Sequence, residues 1–314
     1  MNALKPLIWI SLFFLALSAC SPAPLARTAA PKNGCSRIAF VTSSPGQGPN
    51  IYSACPDGTQ LRQLTNNASN NTSPAWSPDG KRIAFVSNRE GRSQLSIMDA
   101  DGNHTAQITS DPIDHALPLW LPDGKKLAFL SSDGAGLWWW SQINLDGTGL
   151  EKISQPSYDF FFQTPAWSPD GTQVAYLSLK EQAARNDGSS QIHIRRADKT
   201  NDRALTSNIW MNFAPAWSPD GKLIAFLSEM DGTYYKYSLY VIATDGTGLR
   251  RLLDNNTSIG QNSRISWSPD GRSVAIDTEE HPGAIYIVDV NSGARTAFRP
   301  VSGNYQLSAP SWQP

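Results

Sequence analysis

The side chains that could do chemistry in this chain are four histidines, three cysteines and a set of repeated aspartates. The histidines His104, His115, His193 and His281 lie far apart, and none has the spacing to another histidine or to a cysteine that zinc ligands show. The chain also lacks the Gly-x-Ser-x-Gly nucleophile segment of the α/β hydrolases. We therefore predict a non-enzymatic protein with no catalytic residue, no metal site and no cofactor.

The aspartates recur in one short segment, Ser-Pro-Asp-Gly, which follows a tryptophan in four places and becomes Leu-Pro-Asp-Gly in a fifth. An aspartate in such a turn caps it with its own side chain, so the repetition predicts a structural role. Asp114 and His115 are the one acid–imidazole pair in the segments that enter the tryptophan strands. Because neighbours on an extended strand point to opposite faces, this pair does not predict acid–base chemistry.

The turn belongs to a repeat that organises the whole chain. One copy, Pro74 to Phe85 (PAWSPDGKRIAF), reads as a strand ending in tryptophan, a tight turn and a strand that is apolar on both faces. A third strand, an Asp-Gly turn and a fourth strand complete the unit. Repeats of about 40–50 residues with several short strands are typical of propeller blades. The repeated tryptophans are 44, 47, 50, 50 and 45 residues apart, at Trp76, Trp120, Trp167, Trp217, Trp267 and Trp312.

The two ends of the chain each carry part of one unit. The first unit begins directly with its second strand, around Arg37 to Val41, and the last unit stops just after Trp312. A strand around Ser311 that pairs with the first strand would complete one sheet and remove two open edges. We therefore predict an all-β fold, a six-bladed β-propeller of four-stranded antiparallel blades whose first blade is closed by the C-terminal strand.

The repeated segment with its downstream Asp-Gly resembles the TolB-type propeller repeat, a relative of the WD-repeat propellers, over roughly Cys35 to Pro314. The resemblance implies a six-bladed propeller in the bacterial cell envelope. It also implies docking of another envelope protein over one face of the central channel. The separate α/β domain that precedes the propeller in TolB is not expected in this chain.

The N-terminal residues are typical of a lipoprotein signal peptide. Residues 1–19 carry a basic Lys5, an apolar run and small residues before Cys20. Leu-Ser-Ala-Cys at this point matches the bacterial lipobox, so we predict cleavage before Cys20 and lipidation of its thiol. An ordinary signal peptide that is cut nearby is the alternative. Ser21, in place of aspartate, favours the outer membrane, facing the periplasm.

The remaining chain divides into a tether and the propeller. Residues 20–33, which include the lipidated cysteine, are rich in proline and alanine, and residues 34–314 form the propeller. With Cys20 lipidated, Cys35 and Cys55 remain as a pair in an oxidising compartment, and a disulfide is favoured over two free thiols. The formal net charge of −1 offers no broad field for nucleic acid, so membrane contact is expected through the lipid anchor alone.

The segments that enter the tryptophan strands should rim the channel on the side where the repeat copies differ. Divergent loops on a regular scaffold are where specificity is usually built. These segments mix aromatic side chains with histidine and arginine, as binding surfaces do. The alternative is that the phenylalanines plug the channel or pack between blades. The candidate partner-binding residues are His115, Tyr158, Phe160, Phe161, Phe162, Trp210, Phe213, Arg264 and Tyr305.

These observations predict a lipid-anchored envelope propeller that binds a protein or peptide partner through its variable-loop face. A propeller that binds or cleaves carbohydrate, with the rim aromatics as sugar platforms, is the alternative. A purely structural surface protein would bind no ligand at any face.

Overall fold

The computed structural model describes residues 34–43, 48–154, 164–178, 190–279, 283–301 and 306–314. Regular structure in these ranges is almost entirely β-strand, with one short 3-10 helix at Asn255–Thr257. None of their helical structure is long and apolar enough to cross a lipid bilayer. Residues Cys35–Pro314 form one compact unit.

The strands form six four-stranded antiparallel sheets, and each sheet is one blade. From the innermost strand outward, blades 1 to 3 contain β24 (Gln306–Trp312), β1 (Ile38–Ser43), β2 (Asn50–Ala54) and β3 (Arg62–Gln63); β4 (Asn71–Trp76), β5 (Arg82–Ser87), β6 (Gln94–Asp99) and β7 (Ala106–Gln107); and β8 (Asp114–Trp120), β9 (Lys126–Ser132), β10 (Trp138–Asn144) and β11 (Glu151–Lys152).

The other three blades follow the same plan. Blades 4 to 6 contain β12 (Ala166–Trp167), β13 (Gln173–Ser178), β14 (Gln191–Arg196) and β15 (Arg203–Ala204); β16 (Asn212–Trp217), β17 (Leu223–Ser228), β18 (Ser238–Ala243) and β19 (Arg250–Leu253); and β20 (Ile265–Trp267), β21 (Ser273–Asp277), β22 (Ile285–Asp289) and β23 (Arg295–Phe298). The predicted all-β six-bladed propeller, with its first blade closed by the C-terminal strand, is confirmed.

The second strand of each blade is the most buried because a neighbouring blade covers each of its faces. Phe40, Phe85, Phe129 and Phe226 occupy the same repeat position and are all fully buried. Phe40 packs edge-on against Phe298 of blade 6, with the ring centres 5.3 Å apart. Burying a side chain of this size contributes about 1.5–3 kcal/mol, so this ring of phenylalanines is a main stabiliser of the fold.

The Ser-Pro-Asp-Gly turns are held by side-chain hydrogen bonds. The Ser77 hydroxyl donates to Asp79 Oδ1 at 2.6 Å and accepts from the Arg82 amide at 2.9 Å. The Lys81 amide also donates to Asp79 Oδ1, at 3.1 Å. Together with the Ser77 hydrogen bond, it holds the pKa of Asp79 below its ordinary value. These contacts account for the repeated aspartates as turn caps.

Ring closure uses a different contact from three of the other blade interfaces. At those three the tryptophan indole donates to a main-chain carbonyl of the preceding blade, as Trp120 Nε1 does to Ala75 O at 2.9 Å. At the closing blade a serine hydroxyl accepts from the tryptophan main-chain amide instead. Ser311 Oγ accepts from Trp76 N at 3.1 Å, and Trp312 N donates to a serine of blade 6 at 2.8 Å.

Blade 1 is also fastened between its two middle strands. Cys35 and Cys55 form a disulfide bond, with Cα atoms 5.6 Å apart. The bond joins the residues just before β1 and just after β2, at the same end of the blade. The Arg37 guanidinium adds hydrogen bonds to the carbonyl and hydroxyl of Ser53, at 2.9 and 3.0 Å. The blade that is built from both ends of the chain is therefore fixed at its closing inner strand and between its two middle strands.

Candidate functional site

The propeller has two faces of different character. The turn face carries the Ser-Pro-Asp-Gly and Asp-Gly turns, which lie side by side, since Ala100 N donates to Lys81 O at 2.9 Å. The loop face carries the segments that enter the inner strands and the connections from the second to the third strands. Five of the predicted binding residues, Tyr158, Phe160, Phe161, Phe162 and Tyr305, and the lipidation residue Cys20 lie outside the described residues.

His115 is buried, which corrects its prediction as an accessible rim residue. Its residue exposure is 1%, and its ring packs edge-on against Phe129 at 4.9 Å. Nε2 lies 2.7 Å from Asp111 Oδ1, and Nδ1 lies 3.2 Å from the Ser131 hydroxyl. The arrangement of Asp111, His115 and Ser131 resembles an Asp-His-Ser catalytic triad. However, Ser131 is itself only 1% exposed, so no substrate atom could reach it.

The position of His115 in the repeat explains its burial. Asn71 and Asn212 also stand five residues before a repeated tryptophan, and both are fully buried. Asn71 Nδ2 donates to Asn67 Oδ1 at 2.8 Å, and Asn212 Nδ2 donates to Asn208 Oδ1 at 3.0 Å. His115 makes the same contact to the residue four positions before it. Aligning the copies on tryptophan would have identified this structural clamp from the sequence.

The buried imidazole predicts a pH-dependent stability. Burial lowers the pKa of His115 below its ordinary value, against the opposing charges of Asp111 and Asp114. The unfolded chain takes up a proton near pH 6.5, where the folded imidazole stays neutral. We expect the natural chain to lose stability relative to His115→Asn as the pH falls below about 6.5, by up to about 1.4 kcal/mol per pH unit. Urea unfolding of both chains between about pH 8 and pH 5 measures this, and a constant difference would contradict it.

Phe213 is also a core residue. It is fully buried and packs edge-on against Tyr237, with the ring centres 4.8 Å apart. It belongs to a core cluster that also contains Trp267 and Val274 of blade 6, so the alternative for the phenylalanines, packing between blades, holds for Phe213. Its prediction as an accessible binding residue is corrected.

An exposed aromatic patch lies on the loop face of blade 5. It consists of Ile209, Trp210, Tyr234 and Tyr235, and the exposures of Ile209, Tyr234 and Tyr235 are 63%, 67% and 82%. The Trp210 and Tyr234 rings meet edge-on at 5.8 Å. Sequence reasoning found only Trp210. The signal that it missed is the run of tyrosines in the connection between β17 and β18.

The loop between β17 and β18, which carries Tyr234 and Tyr235 of the patch, is held in place by two carboxylates. Glu229, which is 4% exposed, accepts a hydrogen bond from the Tyr235 amide at 2.7 Å. Asp231 accepts from the Tyr240 hydroxyl at 2.6 Å and forms an ion pair with Arg251 at 2.9 Å. Burial acts to raise the pKa of Asp231, but these hydrogen bonds keep it below its ordinary value. The two tyrosines of the patch are therefore presented on a braced loop, which lowers the entropy lost on binding.

Arg264 reaches across the inside of the ring. Its Nη2 donates to the hydroxyl of Ser73 at 3.2 Å, although Arg264 belongs to blade 6 and Ser73 to blade 2. Blade 1 lies between them, so the side chain must pass through the central channel. This is the one predicted binding residue that the structure describes inside the channel.

A buried carboxylate lies beside Arg264. Asp277 accepts main-chain hydrogen bonds from Arg264 N at 2.5 Å and from Ala309 N at 2.8 Å, and so links the inner strands of blades 6 and 1. Burial raises the pKa of Asp277 and lowers that of Arg264. Sequence reasoning missed Asp277. An alignment of the six copies would have revealed it, because the other five blades carry an apolar residue at the same repeat position: Val41, Val86, Leu130, Leu177 and Leu227.

No group of three metal-ligating side chains occurs in the part of the chain that the structure describes. The candidate site therefore consists of the aromatic patch at the loop face and the arginine inside the channel. Neither has the nucleophile and base that covalent catalysis would need.

Comparison with known proteins agrees with this architecture. The family model of the TolB beta propeller domain matches residues 25–160 and 143–314. The Tol-Pal system protein TolB of Desulfosudis oleivorans is 44% identical over 62 residues, 20% of this chain and 14% of that protein. The TolB homolog of Chlorobium luteolum is 45% identical over 64 residues, which again make up 20% of this chain and 14% of that protein. The chain thus matches about a seventh of the length of these relatives.

Solved structures resemble the chain over most of its length. TolB from Acinetobacter baumannii superposes with a TM-score of 0.74 at 25% identity, over 89% of this chain and 67% of that one. The TolB-like structure from Agrobacterium tumefaciens, with a TM-score of 0.59 at 18% identity, covers 90% of this chain and 100% of that one, and supports the fold alone. Since the family model spans both halves of the propeller, the chain belongs to the TolB β-propeller family.

Proposed function

We propose that the chain is a cell-envelope propeller that binds a protein partner through its loop face. The observation that carries the proposal is the aromatic patch, which is exposed on blade 5 and whose two tyrosines lie on a loop held by Glu229 and Asp231. Tyrosine and tryptophan are enriched at the energetic centres of protein interfaces. The relatives named as Tol-Pal system proteins support an envelope protein as the partner.

The turn face offers a weaker surface. Its exposed apolar residues, Leu61, Leu150 and Leu249, stand at one repeat position in three different blades and do not form one patch. Single apolar side chains are normal on a protein surface. The loop face of blade 5 instead brings Ile209, Tyr234 and Tyr235 together in two neighbouring segments.

Site-specific photo-crosslinking in the producing bacterium tests this proposal. A photoreactive phenylalanine at Tyr235 should capture one defined protein, whereas the same residue at Leu249, on the turn face of the same blade, should not. Trp210→Ala combined with Tyr234→Ala should abolish the Tyr235 product. Equal capture from both positions, or a product that survives the double substitution, would overturn the proposal.

Carbohydrate binding is a second candidate, because the half-buried Trp210 and the exposed Tyr234 could also stack on sugar rings. A glycan that quenches the fluorescence of Trp210, with no protein captured at Tyr235, would favour it. Turnover of that glycan would indicate a carbohydrate-cleaving propeller.

We further propose that lipid on Cys20 holds the propeller at the outer membrane, facing the periplasm. Three acyl chains would anchor it stably, since each buried methylene contributes about 0.8 kcal/mol. We expect Cys20→Ser to leave an unprocessed precursor without lipid, while Ser21→Ala keeps the lipid. Labelling with a fatty-acid analogue, followed by membrane fractionation, measures both. Equal labelling of the Cys20→Ser chain would exclude this anchor.

A further inference from the structure

Six equivalent residues line the channel, one from each blade. Each stands three residues before a repeated tryptophan, on the innermost strand or just ahead of it, and all six are half-buried, as expected for a lining that water can reach. Five are uncharged and one is arginine: Ser73, Leu117, Thr164, Ala214, Arg264 and Ala309. Arg264 is thus a single cation in an otherwise neutral ring.

The guanidinium of Arg264 keeps most of its hydrogen-bonding capacity. Of its five N–H groups, the structure pairs one, with the hydroxyl of Ser73, among the residues that it describes. Asp277 lies close enough to act through its charge, but its two oxygens accept from main-chain amides. The remaining N–H groups of the guanidinium are therefore available to an anion that enters the channel.

The backbone around Arg264 is also specialised. The equivalent residues Ser73, Leu117, Ala214 and Ala309 have positive φ values between 51° and 56° and precede proline. Arg264 precedes Ile265 instead and does not share that conformation. The charge therefore distinguishes blade 6 at this level of the channel, and the local backbone distinguishes it from blades 1, 2, 3 and 5.

We propose that Arg264 and Ser73 form a carboxylate-binding site inside the channel, which receives one aspartate or glutamate side chain of the partner. A guanidinium binds a carboxylate through two parallel hydrogen bonds, and the Ser73 hydroxyl supplies a further donor. The nearby charge of Asp277 opposes a doubly charged anion, so the site favours a carboxylate over phosphate. This inference rests on the proposed function, because the occupant belongs to the protein that docks on the loop face.

Titration of the full chain with short peptides tests the site. The probes are N-acetyl-Gly-Asp-Gly-amide, its asparagine counterpart and inorganic phosphate, and the readout is the NMR signal of the Ser73 amide. We expect a saturable shift with the aspartyl peptide only, and about 10- to 100-fold weaker binding in Arg264→Gln. Arg272→Gln, an exposed arginine of the same blade, should bind as the natural chain does. An equal response to the asparagine peptide would overturn the proposal.

A second variant tests whether a loss of binding in Arg264→Gln results from misfolding. Arg264→Gln leaves the charge of Asp277 uncompensated, so Arg264→Gln with Asp277→Asn removes both charges together. Binding of the aspartyl peptide that survives in this folded double variant would also overturn the site. If the Tyr235 cross-link forms equally in Arg264→Gln, the channel site is wrong and the proposed function stands. If no protein is captured but the peptide binds through Arg264, the site stands and the proposed function fails.

Discussion

Removal of residues 306–314 is expected to abolish cooperative folding of the propeller. These residues supply the inner strand of blade 1, including the buried Leu307 and Trp312. Loss of a buried tryptophan alone costs about 3–5 kcal/mol, against a total stability of about 5–15 kcal/mol. Without the strand, β1 also presents an unpaired edge. Near-ultraviolet circular dichroism during heating should show no sharp transition, and the truncated chain should bind a hydrophobic dye.

A circular permutant separates strand loss from simple shortening. It places residues 306–314 ahead of Ser36 and joins Pro314 to Ser36 through Asp-Gly, which reproduces the six residues between Trp76 and Ile83 in blade 2. Because Cys35 is omitted, the comparison is with a chain that carries Cys35→Ser and Cys55→Ser. We expect the permutant to unfold cooperatively near the same temperature. A truncated chain as stable as the permutant would contradict this account of closure.

Phe213→Ala is expected to lower the free energy of unfolding by about 3–5 kcal/mol, because the side chain is fully buried against Tyr237. Trp210→Ala, three residues earlier, should change it far less, since the Trp210 ring meets its neighbour Tyr234 at the surface. Urea unfolding of the two variants measures both values.

The same two variants should have opposite effects on binding. Trp210→Ala should weaken the Tyr235 cross-link in cells, whereas Phe213→Leu, which keeps an apolar core side chain, should leave it intact. Similar stability losses for Phe213→Ala and Trp210→Ala would show that the patch belongs to the core and not to a binding surface.

The fold could be predicted from the sequence because its determinants are local and repeated. The Ser-Pro-Asp-Gly turn, the apolar second strand and the spacing of the tryptophans each specify part of one blade. The incomplete copies at Cys35 and Trp312 then specified closure, since only their pairing completes a sheet.

The site was harder to predict because burial depends on contacts between segments. His115 and Phe213 stand in variable segments but face inward, where the neighbouring strands cover them. Asp277 was overlooked because a carboxylate at the end of an apolar strand appears ordinary until the six copies are aligned. Arg264 was found because its charge stands out within a single segment, although its reach to Ser73 needed the ring geometry.

The Cys35–Cys55 bond has a mechanical consequence. Any pull on the chain ahead of Gly34 reaches the propeller first at Cys35, one end of β1. Without the bond, such a load would peel β1 from its neighbours one hydrogen bond at a time, from Ile38 onward. With it, the load passes directly to Cys55 and is shared by β1 and β2. The blade that joins both ends of the chain is thus built to resist unzipping by a pull on the residues that precede it.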